Sequence, residues 1–196
     1  MSTPKFTPYL DSLSKAMKLC MDDSNMIFIG QQIVFYGNPM SKTIEGLPKE
    51  RMIETPVMEE TQMGMTLGLG MNGHSVVSFY PRWDFLICAA NQLVNHIDKI
   101  SVMSDGEWNP TILIRVGKGS DTPLDPGHQH KADYTKEFET ILKHIPVIKL
   151  DTAEKILPAY KKALQVSNEA IDLLRNFQCG SENLVSLAKY IVNRNY

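Results

Sequence analysis

The stretch ETPVMEETQMGMTLGLGM, residues 54–71, contains a carboxylate followed by a segment with several glycines. A Thr-Pro turn precedes Glu59, and the residues from Glu59 to Met71 predict a helix. Gly64 and Gly68 are four residues apart, so they share one face of that helix. Each glycine costs roughly 1 kcal/mol relative to alanine, and close approach of another backbone is the usual reason to tolerate that cost. A glycine-rich loop, or a core helix packed on its own sheet, is the alternative.

Apolar segments on both sides of this helix predict strands that alternate with helices. The predicted strands are Asn25–Gly30, Arg51–Ile53, Ser75–Phe79, Thr111–Val116 and Ile145–Leu150. Helices are predicted for Asp11–Met21 and Asp84–Met103. Such alternation indicates an α/β fold, a three-layer sandwich around a mainly parallel sheet. Ligands bind beyond the carboxyl ends of strands in such sheets, so residues 79–85 and 117–130 are expected to border the site.

The last part of the chain predicts helices. Thr152–Leu164 and roughly Val166–Phe177 have helical patterns, and Pro158 is expected to start or kink a helix. We therefore predict two parts, an α/β domain over residues 1–165 and a helical C-terminal extension over residues 166–196.

The composition and charge of the chain disfavour several classes of function. The chain has 196 residues, of which 43% are hydrophobic and 21% charged, as expected for one globular domain with a substantial core. A net charge of -2 and the lack of a basic block disfavour nucleic acid as a partner. No apolar run approaches the roughly 18 residues that span a membrane. The first residues, MSTPKFTPYLD, contain no apolar signal core, so a cytoplasmic protein is expected.

Several motifs occur in a fixed order along the chain. They are LSKAMKLCMDDSNMIFIG at residues 13–30, ERMIETPVMEE at 50–60, NQLVNH at 91–96 and PTILIRVG at 110–117. This ordered set, from about Tyr9 to Leu150, resembles the N-terminal, pyrimidine-binding half of a beta subunit in the transketolase superfamily. That subunit belongs to the thiamine-dependent, pyruvate dehydrogenase-like component of 2-oxoacid dehydrogenases.

The resemblance implies thiamine diphosphate as the cofactor and places the family's catalytic glutamate on Glu59. In the family this carboxylate hydrogen-bonds N1′ of the aminopyrimidine ring, and the imino form that results can take the proton from the thiazolium carbon. An apolar environment strengthens such a hydrogen bond, and we expect Val57 and Met58 to supply it. Without the resemblance, Glu59 would be interpreted as a favourable partner of the helix dipole.

Three further site residues follow from the same resemblance. Position matching places the aromatic wall of the pyrimidine site on Phe85, which is equally a candidate for the core of the long helix. The family has a Gln-His pair that faces substrate and cofactor. Ungapped spacing from Arg115 selects His128 for this role, whereas the Gln-His dipeptide itself selects His130. A metal site formed by both histidines and Asp125 is a weaker alternative, and we expect no metal on this chain.

The resemblance also implies a partner. The superfamily holds the diphosphate and its magnesium through a Gly-Asp-Gly and downstream Asn signature, which the sequence lacks. We therefore expect a separate, alpha-like subunit that binds the diphosphate, in a hetero-tetramer that decarboxylates a 2-oxoacid. Two-carbon transfer from a ketose, as in transketolase, is one alternative. A non-catalytic relative that serves as a structural or regulatory subunit is the other.

Overall fold

The computed structural model describes residues 8–35, 39–121 and 125–176, with side chains as far as residue 165. Within this part the strands are β1 (Met26–Gly30), β2 (Met52–Glu54), β3 (Ser75–Tyr80) and β4 (Ile112–Val116). They form a parallel sheet in the order β2-β1-β3-β4. Helices connect the strands, so the predicted α/β class is confirmed.

The helices of the described part are α1 (Pro8–Met21), α2 (Pro39–Lys42), α3 (Glu59–Met71), α4 (Trp83–Leu86), α5 (Ile100–Met103), α6 (Thr135–Ile141) and α7 (Ala153–Asn176). Helix α3 has the bounds that the sequence predicts. The predicted helix over 84–103 is present as four successive pieces, because a 3-10 turn and the π-helical stretch Gln92–Ile97 separate α4 from α5. Among the described residues, none of these helices combines the length and apolar character needed to span a membrane.

Side chains of β3 alternate between two helical layers. The strand is buried along its whole length. Ser78 hydrogen-bonds Gln62 and Thr66 of α3, whereas the ring of Phe79 packs against Phe28 with ring centres 5.1 Å apart. Because successive side chains of a strand point to opposite faces, α3 covers one face of the sheet and a second layer covers the other. This is the predicted three-layer arrangement.

A hydrophobic cluster fills the layer that contains α3. It brings together α3, the helical segment after β3, and α6. Its buried members are Met63, Tyr80, Leu86, Ala89, Leu93, Ile97, Phe138 and Leu142. The opposite layer is formed by α1 and the first turns of α7, which bury Cys20 and Tyr160. The sheet is thus covered by helices on both faces.

The predicted strand over residues 145–150 is wrong. The carboxylate of Asp98 accepts hydrogen bonds from the backbone N–H groups of Lys143, His144 and Ile145 at 2.9–3.2 Å. The carbonyl of Leu150 accepts a hydrogen bond from the hydroxyl of Tyr9 at 2.7 Å. Side chains therefore take backbone groups that a strand would pair with its neighbour, and β4 is left as an edge strand of the described sheet.

Two helical features also differ from the predictions. Helix α6 has no predicted counterpart, because its seven residues, TKEFETI, present a single aromatic side chain to the core. Helix α7 continues through Pro158, although that residue was expected to start or kink a helix. Proline removes one intrahelical hydrogen bond, yet the helical assignment is unbroken on both sides of it.

The chain forms two compact units, residues 1–161 and 162–196. The first unit contains the sheet and the candidate site. Of the second unit, the structure describes the backbone of α7 as far as Asn176. The rest of the predicted extension, residues 177–196, lies outside the described residues. The domain boundary at residues 165 and 166 therefore stays a prediction.

Candidate active site

Polar and aromatic side chains gather at the carboxyl edge of the sheet. Gln31 follows β1, Glu59 begins α3 after β2, and Tyr80 ends β3. Arg82 and Phe85 lie a few residues beyond Tyr80. The loop that follows β4 ends in the 3-10 turn His128–His130. Parallel strands place all these chain ends at one edge, which is where ligands bind in open α/β sheets.

Glu59 is a buried carboxylate fixed from two directions. Its side chain is 9% exposed, and its Oε1 atom accepts a hydrogen bond from Nε2 of Gln31 at 3.0 Å. The hydroxyl of Tyr80 donates to the main-chain oxygen of Glu59 at 3.1 Å. Burial raises the pKa of Tyr80, and the charge of Glu59 adds to this, so the hydroxyl stays a donor. Within the described part, Oε2 of Glu59 has no hydrogen-bond partner and can accept one from a ligand.

A buried polar network fixes the first turns of α3 to the sheet. Gln62 accepts a hydrogen bond from Thr55 at 3.1 Å and donates to Ser78 Oγ and to the carbonyl of Phe79 at 3.1 and 3.0 Å. The hydroxyl of Thr66 donates to the carbonyl of Gln62 at 2.8 Å. Gln62 lies one turn after Glu59, so the network holds that carboxylate in place. The sequence signal was the pair of polar residues at positions 62 and 66 of an apolar helix.

The glycines of α3 serve two different purposes. A Cβ atom on Gly70 would lie 2.7 Å from Cβ of Pro110, so Gly70 lets the helix approach β4. A Cβ atom on Gly64 or Gly68 would meet nothing within 4 Å. The side chain of Met65, between them, is 39% exposed. The alternative in which Gly64 and Gly68 pack on the chain's own sheet is therefore excluded, and their predicted contact with another chain stays a prediction.

A second group at the edge brings His130 to Phe85. The rings of the two residues meet edge to face, with centres 5.5 Å apart. Nη1 of Arg82 donates to the carbonyl of His130 at 3.2 Å. A side chain on Gly119 would collide with that carbonyl, so a glycine allows the loop to come this close. His128 is exposed. Of the two candidate histidines, the structure thus places His130 beside the predicted aromatic wall.

Two buried polar atoms in this group have no hydrogen-bond partner in the part of the chain that the structure describes. They are Oδ2 of Asp84 and Nδ1 of His130. Each sits next to Phe85, one in sequence and one in space. A buried polar atom without a hydrogen bond costs about 1–3 kcal/mol, so positions of this kind suit a polar group of a ligand or a bound water. Sequence reasoning did not single out Asp84, whose only signal is a carboxylate between two aromatic residues.

Val57 departs from its expected place. Its side chain is 81% exposed, so within this chain it does not supply the apolar surroundings predicted for Glu59. Pro56, the residue before it, is exposed as well. Gln31, a polar residue, is the neighbour that contacts the carboxylate. A role for Val57 in the cofactor site stays a prediction, and it requires another molecule to cover this surface.

The loop that follows β4 is held by ion pairs. Asp125 accepts a hydrogen bond from the backbone N–H of Gly127 at 2.8 Å, and Nζ of Lys131 lies 3.2 Å from its carboxylate. Lys131 also pairs with Asp121 at 2.7 Å. The carboxylate of Asp125 is therefore engaged by a lysine. In the described ranges, no three ligand-type side chains come together as a metal site would need.

Comparison with known proteins shows which proteins the chain is similar to. No protein-family model matches the chain. It is 28% identical over 147 residues to the 2-oxoisovalerate dehydrogenase subunit beta of Bacillus subtilis (strain 168). The matched residues cover 72% of this chain and 43% of the relative. It is 25% identical over 146 residues to the pyruvate dehydrogenase E1 component subunit beta of Cyanidium caldarium, which covers 70% and 43%. The chloroplastic subunit beta-3 of Arabidopsis thaliana is 27% identical over 145 residues, which covers 71% and 34%.

These similarities confirm the relationship inferred from the motifs. The chain is similar to E1 beta subunits of 2-oxoacid dehydrogenases, and the similarity supports the predicted relation to their N-terminal half. It spans less than half the length of the curated relatives that it matches.

Proposed function

We propose that this chain is the pyrimidine-binding subunit of a thiamine diphosphate-dependent enzyme that decarboxylates a 2-oxoacid. The observation that carries the proposal is the geometry of Glu59. One oxygen of this buried carboxylate is bound by Gln31, and the other has no hydrogen-bond partner among the described residues, at the edge of the sheet where ligands bind. The similarity to beta subunits of pyruvate and 2-oxoisovalerate dehydrogenases supports the substrate class.

The residues at this edge fit an aminopyrimidine ring. Glu59 offers a hydrogen-bond acceptor, and Phe85 offers a half-buried aromatic surface. His130 offers a buried nitrogen that lacks a partner. When bound, thiamine diphosphate supplies the nucleophilic carbon that attacks the carbonyl of the substrate. The chain's part is to hold the ring, share a proton with it at Glu59, and present the imidazole of His130 to the reacting groups.

The surface around Glu59 supports the presence of a partner chain. Val57 is 81% exposed directly before α3, and the open glycine face of α3 continues from it. Exposed apolar and small residues beside a buried carboxylate are what a second subunit would cover. We infer that this subunit is alpha-like and holds the diphosphate with magnesium. We further infer a cytoplasmic hetero-tetramer, in which two copies of each chain form two sites.

The proposal is tested by replacing Glu59 with glutamine in the assembled enzyme. Glu59→Gln keeps the shape of the side chain but removes its charge, so it cannot share a proton with the ring. We expect deuterium exchange at the thiazolium carbon to slow by roughly two to three orders of magnitude, from a loss of about 2–4 kcal/mol of electrostatic stabilisation. Cofactor affinity should change much less, because the partner holds the diphosphate.

The matched control is Glu60→Gln. Glu60 is the next residue, but it is exposed and accepts a hydrogen bond from Asn91 at 2.9 Å. This variant should exchange at the rate of the unaltered enzyme. Equal exchange rates for Glu59→Gln and the unaltered enzyme would remove Glu59 from the mechanism. That result would favour the alternative in which the chain is a non-catalytic structural or regulatory subunit.

A further inference from the structure

The turn that follows β1 is bound by a carboxylate from the end of β2. Glu54 accepts hydrogen bonds from the backbone N–H groups of Gln32, Ile33 and Val34, at 2.5, 2.9 and 2.8 Å. One oxygen of the carboxylate accepts from Gln32, and the other accepts from the remaining two. Successive backbone N–H groups in a turn form a concave site for an anion, and Glu54 occupies such a site within its own chain.

The conformation of this turn needs support from outside the turn. Gln32 has a φ of 56°, in the left-handed region that non-glycine residues seldom adopt. A side chain costs free energy in this region, because its Cβ atom comes too close to the backbone. Hydrogen bonds to a charged acceptor are stronger than those between neutral groups, so the carboxylate of Glu54 offsets that cost. We therefore expect the turn to open when the charge is removed.

Gln31 lies between two backbone hydrogen bonds that residues at the end of β2 provide. Before it, the carbonyl of Gly30 accepts from the N–H of Thr55 at 2.9 Å. After it, the next N–H along the chain donates to Glu54. The backbone of Gln31 is thus fixed on both sides, and with it the direction of the side chain. The residue is 8% exposed, and its Nε2 atom donates to Oε1 of Glu59 at 3.0 Å.

We propose that Glu54 is a positioning residue for Glu59. Its carboxylate fixes the turn after β1, the turn directs the amide of Gln31, and the amide orients the carboxylate that shares a proton with the cofactor ring. Glu54 acts through Gln31, because both of its own oxygens are engaged by the turn. The role in catalysis rests on the proposed function, whereas the orientation of Gln31 does not. The competing interpretation is that Glu54 serves the stability of the fold alone.

The first measurement is made on the full chain without cofactor. Proton–nitrogen NMR follows the side-chain amide of Gln31, whose signal is assigned by its absence in Gln31→Ala. Glu54→Gln keeps the size of the side chain but has one acceptor oxygen in place of two, so we expect hydrogen exchange of this amide to become faster by about tenfold or more. Glu50→Gln, which alters an exposed carboxylate four residues earlier, should leave it unchanged. Should Glu54→Gln not fold, Glu54→Asp, which keeps the charge but shortens the reach, takes its place throughout.

The second measurement is deuterium exchange at the thiazolium carbon, in the assembled enzyme with thiamine diphosphate and magnesium. We expect Glu54→Gln and Gln31→Ala each to slow this exchange by about tenfold, because the carboxylate of Glu59 remains but is less well oriented. The double variant should be no slower than Gln31→Ala alone, since residues that act through one contact are not additive. If Glu54 served the fold alone, the two factors would multiply.

Either of two outcomes would overturn the proposal: exchange of the Gln31 amide that is unchanged in Glu54→Gln, or effects on the thiazolium carbon that multiply in the double variant. A normal rate at the thiazolium carbon in Glu54→Gln, while Glu59→Gln is slow, also counts against it. If Glu59→Gln itself exchanges at the rate of the unaltered enzyme, the proposed function fails, and the NMR result alone decides whether Glu54 orients Gln31.

Discussion

The direction of the Glu59 carboxylate depends on a residue from another strand. Gln31 follows β1 and binds one oxygen of Glu59, so the second oxygen is the one left for a ligand. Tyr80 fixes the backbone of the same residue from the end of β3. Contacts from two strands constrain the side chain more tightly than the start of a helix alone would. Preorganisation of this kind is what electrostatic catalysis requires.

His128 and His130 are two residues apart in sequence, but they differ in their surroundings, and this difference gives a testable prediction. His130 contacts Phe85, whereas His128 is exposed. We expect His130→Ala in the assembled enzyme to lower kcat by about 100-fold or more, as loss of a positioned proton donor does, with a smaller change in KM. His128→Ala, the matched control two residues away, should leave kcat within about twofold. A larger loss in His128→Ala than in His130→Ala would reverse the assignment.

At the level of single residues, the sequence predicted the candidate site residues but not their surroundings. Glu59 and Phe85 came from the order of motifs. Gln31 could not be predicted, because its contact with Glu59 joins residues 28 positions apart in the chain. The exposure of Val57 had no sequence signal either, since an apolar residue beside a buried carboxylate was expected to be buried with it.

Helix α3 contains a pair of glycines that tests its packing. Alanine at position 68 meets nothing within 4 Å, so Gly68→Ala should stabilise the isolated chain by about 1 kcal/mol through helix propensity. Alanine at position 70 would lie 2.7 Å from Cβ of Pro110, and overpacking of about 1–3 kcal/mol should outweigh the same gain. Urea unfolding of both variants measures the difference. Stabilisation by Gly70→Ala would contradict the described contact between α3 and β4.

The face of α3 that carries Gly64 and Gly68 leads to a prediction about assembly with a partner chain. Gly68→Leu adds a bulky side chain to the surface that we expect a partner to cover, while the chain's own structure has room for it. The variant should remain a folded monomer and fail to assemble, as sedimentation with the partner chain would show. Normal assembly of Gly68→Leu would exclude this face from the interface.

Asp98 anchors the segment that replaces the predicted fifth strand. Burial alone would raise the pKa of Asp98, but the N–H groups of His144, Lys143 and Ile145 outweigh it, so the pKa lies below its ordinary value. A lowered native pKa contributes stability above the ordinary value, about 3.9, and loses it as pH falls through the native value. Asp98→Asn should therefore cost about 2 kcal/mol at pH 7.

The pH dependence of that loss is the informative measurement. The difference in unfolding free energy between Asp98→Asn and the unaltered chain should shrink below about pH 4, where the native carboxylate begins to take up a proton. Asp105→Asn is the control, because Asp105 is an exposed turn residue with a positive φ of 50° that asparagine adopts readily. A cost that is the same at pH 7 and pH 3.5 would show that the carboxylate charge does not hold the segment.

The strands and helices predicted from the sequence are correct where the local residue pattern agrees with the tertiary environment. Residues 26–30 and 75–80 are short apolar runs in the middle of the sheet, and α3 is bounded by a turn on each side. The run at 145–150 looks the same locally, but a carboxylate more than 40 residues earlier binds the backbone that leads into it. The spacing and composition of the residues in this run cannot show that a distant carboxylate binds the backbone. For this reason the strand predicted at residues 145–150 was wrong.

At the level of the whole molecule, the chain contains one part of the site that the proposed reaction needs. It supplies a sheet edge with a fixed carboxylate, an aromatic ring and an imidazole with one buried nitrogen. It has no counterpart to the diphosphate signature in its sequence. The matched stretch covers 43% of each of these two relatives, so the similarity does not reach their remaining parts. We propose that a separate chain supplies the rest of the site, and this proposal is the central claim.

A titration with thiamine diphosphate and magnesium tests that claim most directly. The chain is measured alone, the partner recovered with it from its own cells is measured alone, and the two are measured together by calorimetry. We expect micromolar or tighter binding of one cofactor per pair of chains in the mixture, and binding at least about 100-fold weaker for this chain alone. Tight binding by this chain alone, or no binding in the mixture, would contradict the account.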